Sequence, residues 1–325
     1  MRMTGPEFTE LNFFCTLEAN ALARLFEDRF VLDDLKSLGA GVSLAVMDFS
    51  NERARAVQLL NKLGIPVIAW LMLPQEHHYW FTLSNSGLAL EHYQQFKQWS
   101  QHKKLNWVGI GLCIKEESCW GNSLKTEEEK SAELSQAKQN YLQLGIQVHD
   151  DGYRLELYRP AAVVAAQHAR PKLLRKAEGQ LELAADRQVD LLFTSLHRGQ
   201  NQAALWRALA DSQAIGIGLT GGSVLFTDID QTDPLTWNEF TQDLRIGVQS
   251  GKPVYVFNLE GCARLGYLDR LITLDLAAPI HVPLVKQKNV QRQSDWRSPK
   301  RLAGIATLAG ILGGTLIFLR RKKTR

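Results

Sequence analysis

Eight short apolar runs recur between residues 11 and 259: Leu11 to Leu17, Val42 to Asp48, Pro66 to Leu73, Trp107 to Ile114, Tyr153 to Tyr158, Asp190 to Ser195, Ala214 to Leu219 and Pro253 to Leu259. A strand with one wet face alternates apolar and polar residues. These runs are nearly continuous, as required of parallel strands covered on both faces, and each is separated from the next by enough chain for a crossover helix. Two of the intervening segments are plainly helical. Asn51 to Leu63 repeats Ala54, Val57, Leu60 and Leu63 at helical spacing before Gly64 stops it, and Thr236 to Val248 does the same with Phe240, Leu244 and Val248. Helices also fit Leu88 to Gln101 and Glu127 to Leu144. This rhythm predicts an α/β chain folded as a (β/α)8 TIM-type barrel over residues 8–285. A doubly wound open sheet is the competing arrangement. Against it, no Gly-x-Gly-x-x-Gly follows the early strands, and the best glycine cluster, Gly216, Gly218, Gly221 and Gly222, comes only at the seventh run. That cluster suits a close-packed strand and tight turn as well as it suits a phosphate.

The other end of the chain has a different character. Leu302 to Leu319 contains no charged side chain, and Arg320, Arg321, Lys322, Lys323 and Arg325 follow it. At about 1.5 Å per helical residue such a run spans most of a hydrocarbon core roughly 30 Å thick. Residues 301–319 are therefore expected to form a single transmembrane helix, with 286–300 a basic linker and 320–325 a basic tail. From Lys286 onward the chain carries eleven Lys or Arg against Asp295 alone, which leaves 27 basic and 33 acidic groups for the large domain. The positive charge thus sits where anionic headgroups would be, and a nucleic-acid partner is not expected. Basic residues flank the run on both sides, so charge does not set its orientation. Ala306, Gly310 and Gly314 stand four apart and would allow a homodimer through this helix. No apolar stretch near the N-terminus reads as a signal peptide, and Cys15, Cys113, Cys119 and Cys262 form no Cys-x-x-Cys pair. The expectation is a membrane protein whose barrel carries reduced thiols on the cytoplasmic side.

In a barrel of this kind the chemistry lies at the C-terminal strand ends. Here those ends supply Glu18, Asp48, the segment Pro74 to Phe81, the segment Cys113 to Glu117, Tyr158 with Arg159, the segment Thr194 to Arg198, Thr220, and Asn258 with Glu260. Carboxylates and aromatic rings dominate. Paired carboxylates act as acid, base or nucleophile on glycosidic bonds, and Trp and Tyr give sugars a face to stack on. The candidate catalytic residues are Glu260, Glu116 and Asp48. The candidate ligand-binding residues are Trp80, Tyr79, Tyr158, Asn258 and Glu117. Glu260 directly follows an apolar strand and precedes Gly261, whereas Glu116 and Glu117 open a very polar stretch, and Asp48 also suits a helix cap near Asn51. Trp70, within a strand, is read as barrel core. His77 and His78 have no metal-ligand spacing with another histidine, and no metal or cofactor is expected. Ser195, His197 and Asp48 lack the Gly-x-Ser-x-Gly elbow of a hydrolase triad.

Three stretches, Gly64 to Leu71, Val108 to Ile114 and Val254 to Cys262, together resemble glycoside-hydrolase-type barrels of a bacterial group, over about residues 8–280. The resemblance implies a carbohydrate-type ligand. Chitinase-like hydrolases carry Asp-x-x-Asp-x-Asp-x-Glu on strand four, and the matching positions here are Val108, Gly111, Cys113 and Lys115, none of them acidic. A lysine cannot replace a carboxylic acid of raised pKa as proton donor. Two functions follow as expectations: a membrane-anchored glycoside-hydrolase-like barrel, with Glu116 or Glu117 as acid and Glu260 or Asp48 as second carboxylate, or a catalytically degenerate barrel that binds or scaffolds. A third, a phosphate enzyme using Gly221, Gly222 and Arg198, rests on the glycines alone.

Overall fold

The structure, a computed structural model, describes residues 11–115, 127–160, 183–197, 212–223 and 233–280. Within them ten strands run in chain order: β1 (Leu11–Cys15), β2 (Gly41–Val46), β3 (Val67–Leu71), β4 (Phe81–Thr82), β5 (Gly109–Leu112), β6 (Ile114–Lys115), β7 (Arg154–Pro160), β8 (Arg187–Leu191), β9 (Ala214–Gly218) and β10 (Val254–Phe257). Eight of these, all but β4 and β6, pair in parallel and close on themselves in the order β1-β10-β9-β8-β7-β5-β3-β2. The closure is made by Leu11 opposite Val254 and Phe14 opposite Phe257. A closed parallel sheet excludes the open doubly wound alternative, and each apolar run of the sequence supplies one barrel strand. The short strands β4 and β6 form a separate pair at the C-terminal side, Thr82 lying opposite Lys115.

Eight helices are described: α1 (Ala19–Glu27), α2 (Arg29–Ser37), α3 (Asn51–Lys62), α4 (Ser86–Lys103), α5 (Glu127–Asp150), α6 (Trp237–Gln249), α7 (Leu259–Arg264) and α8 (Tyr267–Ile272). Their starts follow local chemistry. Ser50 caps α3 by accepting from Arg53 N–H, and Thr236 with Glu239 forms a full capping box on α6. Among these helices none is long and apolar enough to cross a membrane. The expected span at 301–319, with its linker and tail, lies outside the described residues.

Alternation along the strands divides the core in two. Val42, Leu44 and Val46 face outward into the layer shared with the helices, while Ala45 and Met47 point into the lumen. The lumen is filled rather than hollow. Phe14 meets Trp70 and Tyr158 edge-on at 5.0 and 4.9 Å between ring centroids, and Tyr255, Phe257, Ile68 and Leu191 complete the packing. Trp70 is fully buried there, as expected of a core residue. Gly111 makes the slot for Tyr158: a Cβ at that position would stand 2.4 Å from the tyrosine ring.

The N-terminal half of the lumen is polar. Glu156 is fully buried and accepts from Tyr255 Oη at 2.8–2.9 Å and from Arg154 Nη2 at 2.9 Å, with Tyr158 Oη at 3.3 Å and Arg187 Nη1 at 3.5 Å. Burial nonetheless raises its pKa, against the Tyr255 hydrogen bond and the two arginines. Both carboxylate oxygens are satisfied, so the group acts as a pin joining β7 and β10 across the lumen, with β8 reached through Arg187.

Candidate functional site

The chemistry at the C-terminal strand ends starts from Glu260, in the first turn of α7. Its carboxyl reaches back over the seam between the first and last barrel strands. Oε1 accepts from Thr16 N–H at 3.0 Å, from Thr16 Oγ1 and from Asn258 Nδ2 at 2.8 Å. Thr16 stands one residue past the end of β1, so the side chain prolongs the β1–β10 ladder where the backbone of β10 has turned into its helix. The second oxygen, Oε2, is buried and has no hydrogen-bond partner. Burial pushes the Glu260 carboxyl up to about 7, even though the Thr16 and Cys15 contacts pull the other way. The buried Cys15 thiol beside it is raised in turn, by burial first and by the Glu260 charge second. A carboxyl that exchanges its proton near neutral pH, with one oxygen anchored and the other uncommitted, has the electronic character of an acid–base group.

Asn258 is fully buried, and its side chain is used up locally: Oδ1 caps α7 by accepting from Gly261 N–H, and Nδ2 orients Glu260. Both polar ends of its amide are engaged within the protein, and one of them orients the carboxyl. The Gly221–Gly222 turn, with φ of 83° and 89°, lies against α7; a Cβ on Gly261 would collide with Gly221 O at 2.3 Å and Thr220 O at 2.5 Å. Gly216 is equally tight, a Cβ meeting Leu191 at 2.6 Å. The glycine cluster is thus accounted for by close packing and a turn, without a phosphate.

Asp48 proves to be structural in its contacts. Its Oδ2 accepts from Arg53 Nη2 at 2.7 Å, and its Oδ1 from Ser50 N–H at 2.9 Å. Burial alone would raise this carboxyl, but the Arg53 hydrogen bond and charge outweigh it, and the pKa is lowered. Arg53 is fully buried and also donates to Ala45 O at 2.6 Å, so the pair buttresses the end of β2. Tyr158 is likewise displaced from its expected role. It is buried inside the barrel, with its hydroxyl on Glu156 and Ser43 in the polar half of the lumen, because strand parity sends position 158 inward. Glu116 and Glu117 lie outside the described residues.

Tyr79 and Trp80 are presented by a turn after β3 in which His78 and Tyr79 both adopt left-handed backbone, φ 59° and 64°, uncommon for residues with a side chain. Both are half-buried and pack on the lumen cluster. Tyr79 Oη donates to Glu18 at 3.2 Å. Trp80 stands 6.2 Å from Trp70, and Lys115 Nζ lies 3.9 Å from its ring centroid. The Lys115 ammonium is lowered by burial, and the Cys113 thiol is pushed up to about 12 for the same reason. Ser195 is committed as well, its Oγ accepting from Leu219 N–H at 2.8 Å. Among the described residues no three His, Cys, Asp or Glu side chains converge as a metal would require.

Sequence reasoning missed Thr16, Arg53, Lys115 as a site residue, and Glu156. Only the last had a readable signal: Arg154, Glu156 and Tyr158 alternate with Leu155 and Leu157, marking one polar face on a strand taken as apolar.

No family model and no curated protein sequence matches the chain. Among solved structures it is similar to 3-keto-D-glucoside 4-epimerase from E. coli, at 14% identity over 81% of this chain and 98% of that one, with a TM-score of 0.44. It is also similar to an AP endonuclease of family 2 from Brucella melitensis, at 11% identity over 80% and 98%, TM-score 0.45. A sugar phosphate isomerase/epimerase from Parabacteroides distasonis matches at 9% identity over 85% and 99%, TM-score 0.44. At these identities and TM-scores the likeness concerns the barrel and carries no inference about activity. The glycoside-hydrolase type implied by the sequence resemblance finds no specific support in it.

Proposed function

We propose that the barrel binds a carbohydrate-type small molecule at the C-terminal ends of its strands, with Glu260 as the carboxyl that meets it and Trp80 and Tyr79 as the stacking surface. The observation that carries this reading is the uncommitted Oε2 of Glu260: a buried polar atom without a partner is costly, and a ligand hydroxyl would satisfy it. Half-buried aromatic rings at the same end of the barrel suit the apolar face of a sugar. Asp48, the alternative to Glu260 as second carboxylate, is held by Arg53, which leaves Glu260 as the carboxyl of this reading. The test is a panel of oligosaccharides screened against the full-length chain for binding and for cleavage. Binding without cleavage is the expected result, and Glu260→Gln should weaken it while the fold is kept, with a melting temperature no lower than that of wild type. Wild-type affinity in Glu260→Gln, or no binding across the panel, would remove the reading.

We also propose that residues 301–319 tether the barrel to a membrane, on the strength of their uncharged run and flanking basic residues. Removing residues 286–325 should move the protein from the membrane pellet to the soluble fraction; a folded truncated chain that stayed in the pellet would exclude the tether.

A further inference from the structure

We infer that the ligand of this site is anionic, a sugar bearing a carboxylate or a phosphate, and that Lys115 receives the negative charge. The inference rests on the proposed carbohydrate site and adds the chemical class of its ligand.

Lys115 differs from the four arginines held in and around the barrel wall. Arg53 has Asp48, Arg154 and Arg187 share Glu156, and Arg159 has Asp190 at 2.6 Å. Among the described residues Lys115 has no carboxylate and no hydrogen-bond acceptor; its ammonium faces only the Trp80 ring. The indole quadrupole returns part of the hydration lost on burial, but it accepts no conventional hydrogen bond from the three ammonium donors. Cys113, two residues earlier, does not supply the missing charge. Its thiol is pushed up to about 12 by burial and stays neutral at physiological pH.

A second donor nearby is in the same condition. Trp70 Nε1 is buried with no acceptor, and its ring is 6.2 Å from that of Trp80. Lys115 and Trp70 therefore both lack an acceptor at the end of the barrel where Glu260 holds an uncommitted oxygen. A carboxylate or phosphate answers the first deficiency with charge-assisted hydrogen bonds, the strongest kind available to an ammonium. The sugar hydroxyls of the same ligand would answer Glu260. The fixed pairing of β6 with β4, Thr82 opposite Lys115, holds the lysine next to the turn that presents Trp80.

The experiment uses the full-length chain and matched sets of neutral, uronic-acid-containing and phosphorylated oligosaccharides. Acidic members should bind about tenfold more tightly than their neutral counterparts, the gain of one charge-assisted contact. Lys115→Met should abolish that preference, acidic members falling to the affinity that the same variant has for their neutral counterparts, while Lys115→Arg should keep most of it. Whether the uronate or the phosphate set shows the preference identifies the anion. Equal binding of neutral and acidic members, or an equal loss for both in Lys115→Met, overturns the inference and leaves the carbohydrate reading standing. A separate arm measures acylation of Lys115 by mass spectrometry in the presence of acetate or inorganic phosphate alone. Protection by these anions with no sugar binding would retain the anion site and remove the carbohydrate reading. Absence of both would remove both.

Discussion

Glu156 and Glu260 are buried carboxylates at opposite ends of one barrel, and burial raises both above the ordinary range. Around Glu156 the protein supplies two tyrosine hydroxyls and two arginines, and every oxygen is occupied. Around Glu260 it places the Thr16 and Asn258 donors on one oxygen and leaves the other buried without a hydrogen-bond partner, with the Cys15 thiol alongside the carboxyl. The same residue type thus does two jobs. At the N-terminal side a saturated carboxylate joins strands, and at the C-terminal side a half-saturated one keeps capacity for something outside the chain. Lys115 repeats the contrast among the cations: Arg154 and Arg187 share Glu156, whereas Lys115 has no carboxylate partner among the described residues.

The sharpest way to break this comparison is to remove Glu156. Glu156→Ala should cost about 3–5 kcal/mol, because it takes the shared carboxylate from two half-buried arginines and strands two buried hydroxyls. Denaturant unfolding would measure it, and sugar binding by the folded variant should be unchanged. A loss below about 1 kcal/mol would mean that the lumen network is not what holds these strands.

The next effect is on pH dependence. With a folded-state pKa of about 7 against an unfolded value near 4.5, the native state holds the Glu260 proton more tightly than the unfolded state does. Stability present at low pH is therefore lost as pH rises from about 4.5 through about 7, by about 3 kcal/mol in all. Glu156 titrates with the same sign, so the measurement is the difference between wild type and Glu260→Gln. Gln should gain on wild type across that window, and parallel pH profiles would show that Glu260 is not shifted.

Asp48→Ala should cost about 2 kcal/mol, less than a fully buried pair, because Asp48 is itself partly exposed. Its thermal midpoint should fall while ligand affinity holds; a selective loss of affinity would return Asp48 to the site. Smallest in stability is Trp80→Ala, expected within about 1 kcal/mol for a half-buried ring. Its effect should appear in ligand affinity, about tenfold weaker by isothermal titration, and an unchanged affinity would remove Trp80 from the stacking surface.

The barrel was legible from the chain because most of its strands are covered on both faces by apolar neighbours, which makes hydrophobicity nearly continuous along them; β7 and β8, whose inward or leading residues include Arg154, Glu156, Arg187 and Gln188, are the exceptions. That is a local property. All four helices expected from spacing are found, α4 and α5 extending beyond the ranges anticipated. The site was legible only in outline. Glu260 was marked by its place after an apolar run, but the neighbouring Asn258 and the strand residue Tyr158 looked equally available, and they are not. Asn258 is consumed by a helix cap three residues away, and Tyr158 points down the lumen into a gap that Gly111 leaves on another strand.

What the sequence by itself determined is the eight barrel strands and their order along the chain, together with the uncharged run at 302–319, since both depend on residues adjacent in the chain; the short pair β4 and β6 was not among them. What the tertiary structure decided is which polar groups are satisfied. Thr16 meets Glu260 across 244 positions, Tyr255 meets Glu156 across 99, and Trp80 comes to face Lys115 through a two-residue strand pair. Desolvation and hydrogen-bond saturation are set by groups that arrive from distant strands when the barrel closes, so no window along the chain contains them.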